Sequence, residues 1–190
     1  MVSFDEQAIL DNGAYIYNQR AEIERIADEI CEKGFDSIFF TSSGGSLAMM
    51  QPFDYMVSVM SDIPVQSQVS ADFLTVGNRR IGKGTLAFMA SKSGDTKETV
   101  AAAKAAKDAG CTIVSTLGVD GSPLGELSDY GVIYKQGRPM ELVLYLLIGK
   151  ILKNRGFFDD YDRFADELVN LPLLSFPSAR TLTRWLAHML

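Results

Sequence analysis

Apolar and polar positions along the chain fall into two periods. From about residue 5 to residue 33, Ile23, Ile26, Ala27 and Ile30 recur at three- and four-residue spacing, with Glu22, Glu24, Arg25 and Glu29 between them. That spacing predicts an amphipathic helix. Gly34 follows as a C-cap glycine would. The segment Phe35 to Thr41 becomes apolar on both faces by its end, which predicts a buried strand. It runs straight into Ser42-Ser43-Gly44-Gly45-Ser46. A helix is predicted from Leu47 to Met60, with Pro52 inside it as a kink. Val65 to Ser70 reads as a short second strand, and Ser70 to Leu74 as a helical turn.

The same alternation continues. Thr85 to Ala90 is a strand whose apolar run, Leu86 to Ala90, breaks into Ser91-Lys92-Ser93-Gly94-Asp95-Thr96. An alanine-rich helix runs from Lys97 to Asp108 and is closed by Gly110. Thr112 to Leu117 is the next strand, Gly118 to Pro123 is a loop by composition, and Tyr130 to Tyr134 is a last short strand. Pro139 opens a helix to Asn154 that is apolar nearly all round, which predicts a subunit or domain interface there. Residues 160–171 form one more amphipathic helix. Strands alternate with helices about five times, and several strands are apolar on both faces. The predicted fold class is therefore α/β: a doubly wound, flavodoxin-like, five-stranded parallel sheet flanked by helices.

In such sheets ligands sit at the carboxyl ends of the strands, near a topological switch point. Both Ser/Gly-rich turns, 42–46 and 91–96, fall at strand ends that open a helix. Free backbone N–H groups and the positive end of the helix dipole are presented there, so an anion such as phosphate binds without a fixed lysine. Ordinary N-capping by Ser and Thr is the competing account of the hydroxyls. Gly-Gly-Ser is also plain loop chemistry. The presence of two such turns favours the anion site.

Charge and composition remove other functions. A net charge of −6 with no basic face argues against nucleic acid as a partner. Cys31 and Cys111 stand alone and His188 is the single histidine, so neither a zinc ligand set nor a Ser-His-Asp triad is expected. No metal or redox cofactor is expected. The N-terminus lacks the form of a signal peptide and no apolar run approaches the roughly 20 residues of a membrane span, which places the chain in the cytoplasm. Gly77 to Gly84 fits Gly-x₄-Gly-Lys, but it lacks the final Ser/Thr and precedes a strand. A nucleotide-binding P-loop follows a strand instead, so this segment reads as a polar turn.

The stretch Ser91-Lys92-Ser93-Gly94-Asp95-Thr96-Lys97-Glu98-Thr99 resembles the Ser-x-Ser-Gly-x-Thr-x-Glu/Asp-Thr signature of the sugar isomerase (SIS) domain family. Ser43-Gly44-Gly45-Ser46 resembles the first turn of that family. Within it, the chain is most similar to the amino-terminal half of the fructosamine 6-phosphate deglycases, which cleave phosphorylated Amadori products to glucose 6-phosphate and an amine. The resemblance implies a SIS domain over 1–170 and a partner that is a small phosphorylated sugar or sugar-amine. It implies phosphosugar binding by Ser43, Gly44, Gly45, Ser46, Ser91, Lys92, Ser93, Gly94 and Thr96. Glu98 either faces the sugar or completes a capping arrangement at the third helical position, and Glu141, near the start of an interface helix, reads as structural before catalytic.

The deglycases carry their acid/base groups in a Glu-x-x-His-Gly-Pro stretch of a second SIS half, and that stretch is not in this sequence. Residues 171–190 carry no pattern of the family and read either as the junction of a truncated product or as a short native terminus. The catalytic residues are left unassigned, and whether the chain is an enzyme stays open. Three functions remain: a deglycase half, a single-domain ketose/aldose isomerase, and a non-catalytic phosphosugar sensor. A homodimer or higher homo-oligomer through helix 139–154 is expected.

Overall fold

The computed structural model describes residues 11, 14–134 and 140–168. Five strands, β1 (Ser37–Ser42), β2 (Val65–Val69), β3 (Thr85–Ser91), β4 (Thr112–Leu117) and β5 (Tyr130–Ile133), form one sheet in the order β2-β1-β3-β4-β5. Every pairing is parallel. The helices are α1 (Arg20–Lys33), α2 (Gly44–Met60), α3 (Ser70–Val76), α4 (Lys97–Asp108), α5 (Pro123–Leu127), α6 (Met140–Asn154) and α7 (Tyr161–Leu168).

Side chains of successive strand residues point to opposite faces, and the sheet has a core on each. Ile38, Phe40, Leu86, Phe88 and Ala90 join α1, α2, α6 and α7 on one face. Phe39, Ala87, Met89 and Ile113 join α3, α4 and α5 on the other. All seven residues of β3 are buried, and its interior, Leu86 to Ala90, reads as an unbroken apolar run. The alanines of α4 are used as contact: Ala102, Ala103 and Ala106 lie against the sheet with no exposure.

Four predicted features change. The first helix is interrupted: the chain turns at Asn18 and Gln19, where the Gln19 N–H donates to Ile16 O three residues back (3.0 Å), before α1 begins. Helix α2 begins at Gly44, three residues earlier than predicted, so the glycine pair and Ser46 belong to its first turn. The loop predicted from Gly118 contains the start of α5. At five residues that helix is too short to show a period; its signal is Ser122 at the N-cap and Pro123 at the first helical position.

The fourth change concerns α6, predicted as an interface helix. Val143, Leu144, Leu147, Ile148, Ile151 and Leu152 are all fully buried within the single chain. The helix packs on α1, α2 and α7, and Tyr145 sets its ring edge against Phe53 and Phe164. Its apolar character is accounted for by its own chain. Among the described residues, no helix is long and apolar enough to cross a membrane. The tail 171–190 lies outside the described residues.

Candidate functional site

The strand order fixes where a crevice opens. From β1 the chain passes to β2 at one edge, then crosses back to place β3 on the other side of β1. The segments leaving β1 and β3 therefore depart to opposite faces, into α2 and α4, and a gap is left between them. Backbone pairing of β1 with β3 is registered as far as Phe40 opposite Phe88. Beyond it the buried Ser42 hydroxyl spans the gap by donating to Ala90 O.

The first turn presents an uncapped helix. Ser43 is the N-cap of α2 in extended conformation, its side chain makes no capping bond, and the first turn carries no acid. The first N–H groups of α2 thus have no intrahelical partner and, among the described residues, no side-chain cap. Gly44 and Gly45 are exposed, and a Cβ added to either meets no atom within 4 Å. The space beside these two residues is open. Ser46 is half-buried on the same turn.

The second turn is held by its own hydroxyls. Ser91 Oγ lies 3.0 Å from Thr96 Oγ1 and accepts the Gly94 N–H at 2.9 Å. Thr96 is the N-cap of α4 and makes no side-chain capping bond, and Glu98 is exposed. The first intrahelical bond is Val100 N–H to Thr96 O at 2.9 Å. Capping therefore does not account for Ser91 and Thr96: their hydroxyls bond each other and leave the α4 terminus to other partners. Lys92 and Ser93 are exposed, and Ser93 donates to the Asp95 carboxylate.

The two turns are tied together. Thr99, fully buried on the first turn of α4, donates through Oγ1 to Ser43 Oγ at 3.3 Å. The N-termini of α2 and α4 are thus joined by one hydroxyl pair across the crevice. Thr99 was not among the predicted site residues, although it closes the Ser-x-Ser-Gly motif in the sequence.

A further segment braces the second turn from behind. Gly118 N–H donates to Ser91 O at 3.3 Å, and Leu124 N–H donates to Gly94 O at 2.9 Å. Gly94 has φ 73°, and a Cβ there would stand 2.1 Å from Ser122 Oγ. A Cβ on Gly118 would stand 2.3 Å from Lys92 O. Ser122 is 4% exposed and its hydroxyl has no partner among the described residues. Sequence reading could not find this brace, because the residues lie 20 or more positions from the turn they contact.

The remaining candidates lie elsewhere. Glu141 stands in the first turn of α6, and its charge, after burial, holds the Tyr134 phenol above the ordinary tyrosine range. His188 falls outside the described residues. Among the described residues, no group of three His, Cys, Asp or Glu side chains is placed to hold a metal.

The chain is 31% identical over 154 residues to the isomerizing glutamine–fructose-6-phosphate aminotransferase of Thermotoga maritima, which spans 75% of this chain and 25% of that protein. It is 30% identical over 117 residues to fructosamine deglycase FrlB of Bacillus subtilis, 61% of this chain and 36% of that one. The chain thus spans about a quarter to a third of these relatives. Among solved structures, a protein described as a phosphosugar isomerase of Bacillus subtilis superposes with a TM-score of 0.76 at 24% identity, over 86% of this chain and 51% of that one. Vibrio vulnificus NanR, complexed with ManNAc-6P, superposes with a TM-score of 0.68 at 20% identity, over 88% of this chain and 67% of that one. The SIS domain model matches residues 33–148, a span that contains both turns, and the chain belongs to the SIS domain family.

Proposed function

We propose that the crevice between α2 and α4 is a cradle for the phosphate of a phosphorylated sugar or sugar-amine. The observation that carries this reading is the pair of uncapped helix N-termini joined by Thr99 and Ser43. N–H groups and the positive end of the dipole at a helix start favour an anion, and the Thr99–Ser43 bond brings the two helix starts together. Ser43, Ser46, Ser91, Ser93 and Thr96 supply hydroxyls, and Gly44 and Gly45 leave room for the ligand beside the backbone. Gly94 shapes the second turn, and Lys92 adds its backbone N–H and a nearby charge. Ser93 turns from Asp95 to meet the ligand.

The finer reading is the binding half of a fructosamine 6-phosphate deglycase, supported by the likeness to FrlB. Binding and orientation fall to this chain. The Glu-x-x-His-Gly-Pro stretch that a deglycase uses is absent from the sequence, so binding without turnover is the expected behaviour of the chain alone.

Calorimetry with glucose 6-phosphate tests the site. A hydrogen bond to a charged group is worth about 1.5–3 kcal/mol, so Ser93→Ala and Thr96→Ala are each expected to weaken binding by about tenfold or more. Unchanged affinity in both variants overturns the cradle. Incubation of the chain with fructoselysine 6-phosphate, followed by an assay for glucose 6-phosphate, tests the division of labour. Product formed by the chain alone would show that the proton-transfer groups are already in it.

A further inference from the structure

A serine or threonine hydroxyl has a single proton to donate, and the hydroxyls of the two turns spend it differently. Ser43 accepts from Thr99 and keeps its own proton. Ser91 and Thr96 face each other at 3.0 Å, and Ser91 also accepts the Gly94 N–H. One hydroxyl of that pair donates to the other, so one proton is left over for a ligand. Ser93 is the exception: its proton goes to the Asp95 carboxylate. In that state the Ser93 oxygen has only lone pairs to offer, and lone pairs repel a phosphate oxygen. Both side chains are exposed. Asp95 also directly precedes Thr96, the N-cap of α4, where a negative charge meets the positive end of the helix dipole. A carboxylate of the chain thus takes the place of an anion at the start of α4.

We propose that Asp95 is a built-in competitor of the ligand phosphate, holding the Ser93 proton while the cradle is empty and yielding it when phosphate binds. The proposal rests on the phosphosugar reading of the crevice. Two effects act with the same sign. Binding has to break the charge-assisted Ser93–Asp95 bond before Ser93 can donate to the ligand. The bound phosphate then lies close to a carboxylate of like charge. Asp95 therefore lowers the affinity below what the donors of the two turns would give alone, and it speeds the release of a bound phosphosugar. A purely structural Asp95 behaves in the opposite way. If the carboxylate served only to stabilise the start of α4, removing it would loosen the second turn and weaken binding. The direction of the change in affinity separates the two accounts.

Calorimetry with glucose 6-phosphate on the full chain tests the proposal, with Asp95→Ala, Asp95→Asn, Ser93→Ala and the double variant Ser93→Ala/Asp95→Ala alongside. Asp95→Ala is expected to tighten binding about five- to tenfold, a gain limited by the exposure of the carboxylate. Asp95→Asn keeps an acceptor for Ser93 and loses the charge, so its affinity is expected to lie between those of the wild type and Asp95→Ala. In the Ser93→Ala background there is no hydroxyl for Asp95 to hold. There the gain from Asp95→Ala is expected to fall to about twofold, the share of plain repulsion between exposed charges, and to vanish at high salt. Circular dichroism checks that each variant is folded. Binding by Asp95→Ala equal to or weaker than that of the wild type overturns the proposal. So does the same gain with and without Ser93. Failure of the wild type and every variant to bind glucose 6-phosphate overturns the cradle itself, and the competition with it.

Discussion

Gly118→Ala is expected to weaken glucose 6-phosphate binding by about a hundredfold, more than the loss of any single cradle hydroxyl. The reason is geometric. A Cβ at this position stands 2.3 Å from Lys92 O and 3.1 Å from Lys92 C, both backbone atoms. A flexible side chain could swing clear; a backbone carbonyl cannot move without carrying its turn. The Ser91-to-Gly94 segment is pinned at Gly118 N–H to Ser91 O and at Leu124 N–H to Gly94 O. The strain therefore moves several donors of the turn at once, and a misplacement of about 1 Å is enough to cost two orders of magnitude. Calorimetry measures the affinity, and thermal unfolding measures the accompanying loss of stability, about 1–3 kcal/mol for overpacking. Asp120→Ala, an exposed position on the same loop, is the control and is expected to bind about as the wild type does. Equal affinities for wild type, Gly118→Ala and Asp120→Ala would show that the brace does not position the turn.

That brace also marks where sequence reading ran out. The order of strands and helices was legible because β1, β3 and β4 are apolar on both faces and α4 carries its alanines on a regular spacing. The two turns were legible because two Ser/Gly-rich stretches each follow a strand and open a helix, and together they match the paired motifs of one family. What joins the turns was not. The Thr99–Ser43 bond spans 56 residues, and the Ser122 contact with Gly94 depends on β4 lying beside β3. These are properties of topology, which local patterns do not encode.

Helix α6 was legible only in part. A helix apolar nearly all round is buried, and that much was right. Sequence alone does not say whether the burial is by the same chain or by another. Three neighbouring helices of this chain supply it.

Tyr161→Ala is expected to destabilise the chain by about 3–5 kcal/mol, the range for removing a large buried side chain. Tyr161 has no exposure. Its ring fills the space over Gly149, where an added Cβ would lie only 3.0 Å from ring carbons, and it meets Phe158 edge-on with centroids 6.0 Å apart. Its hydroxyl lies 3.0 Å from Glu24 Oε1 and 3.1 Å from Leu146 O. Through that one side chain α7 is fastened to both α1 and α6. Arg20 reinforces the joint by bonding Glu24 and Asp166 at 2.6 and 2.5 Å. Tyr161→Phe keeps the ring and removes only the donor, so a smaller loss of about 1–3 kcal/mol is expected. Urea unfolding at neutral pH separates the two. The pH dependence separates them further. Burial, then the Glu24 charge, pushes the Tyr161 phenol above its ordinary range. A raised pKa means that the folded state holds this proton more tightly than the unfolded chain does. The contribution is fully present below about pH 10, the ordinary tyrosine value, and is lost as pH rises beyond it. Wild type is therefore expected to lose stability faster than Tyr161→Phe above pH 10, and parallel curves there would show that the phenol does not hold its proton through this joint.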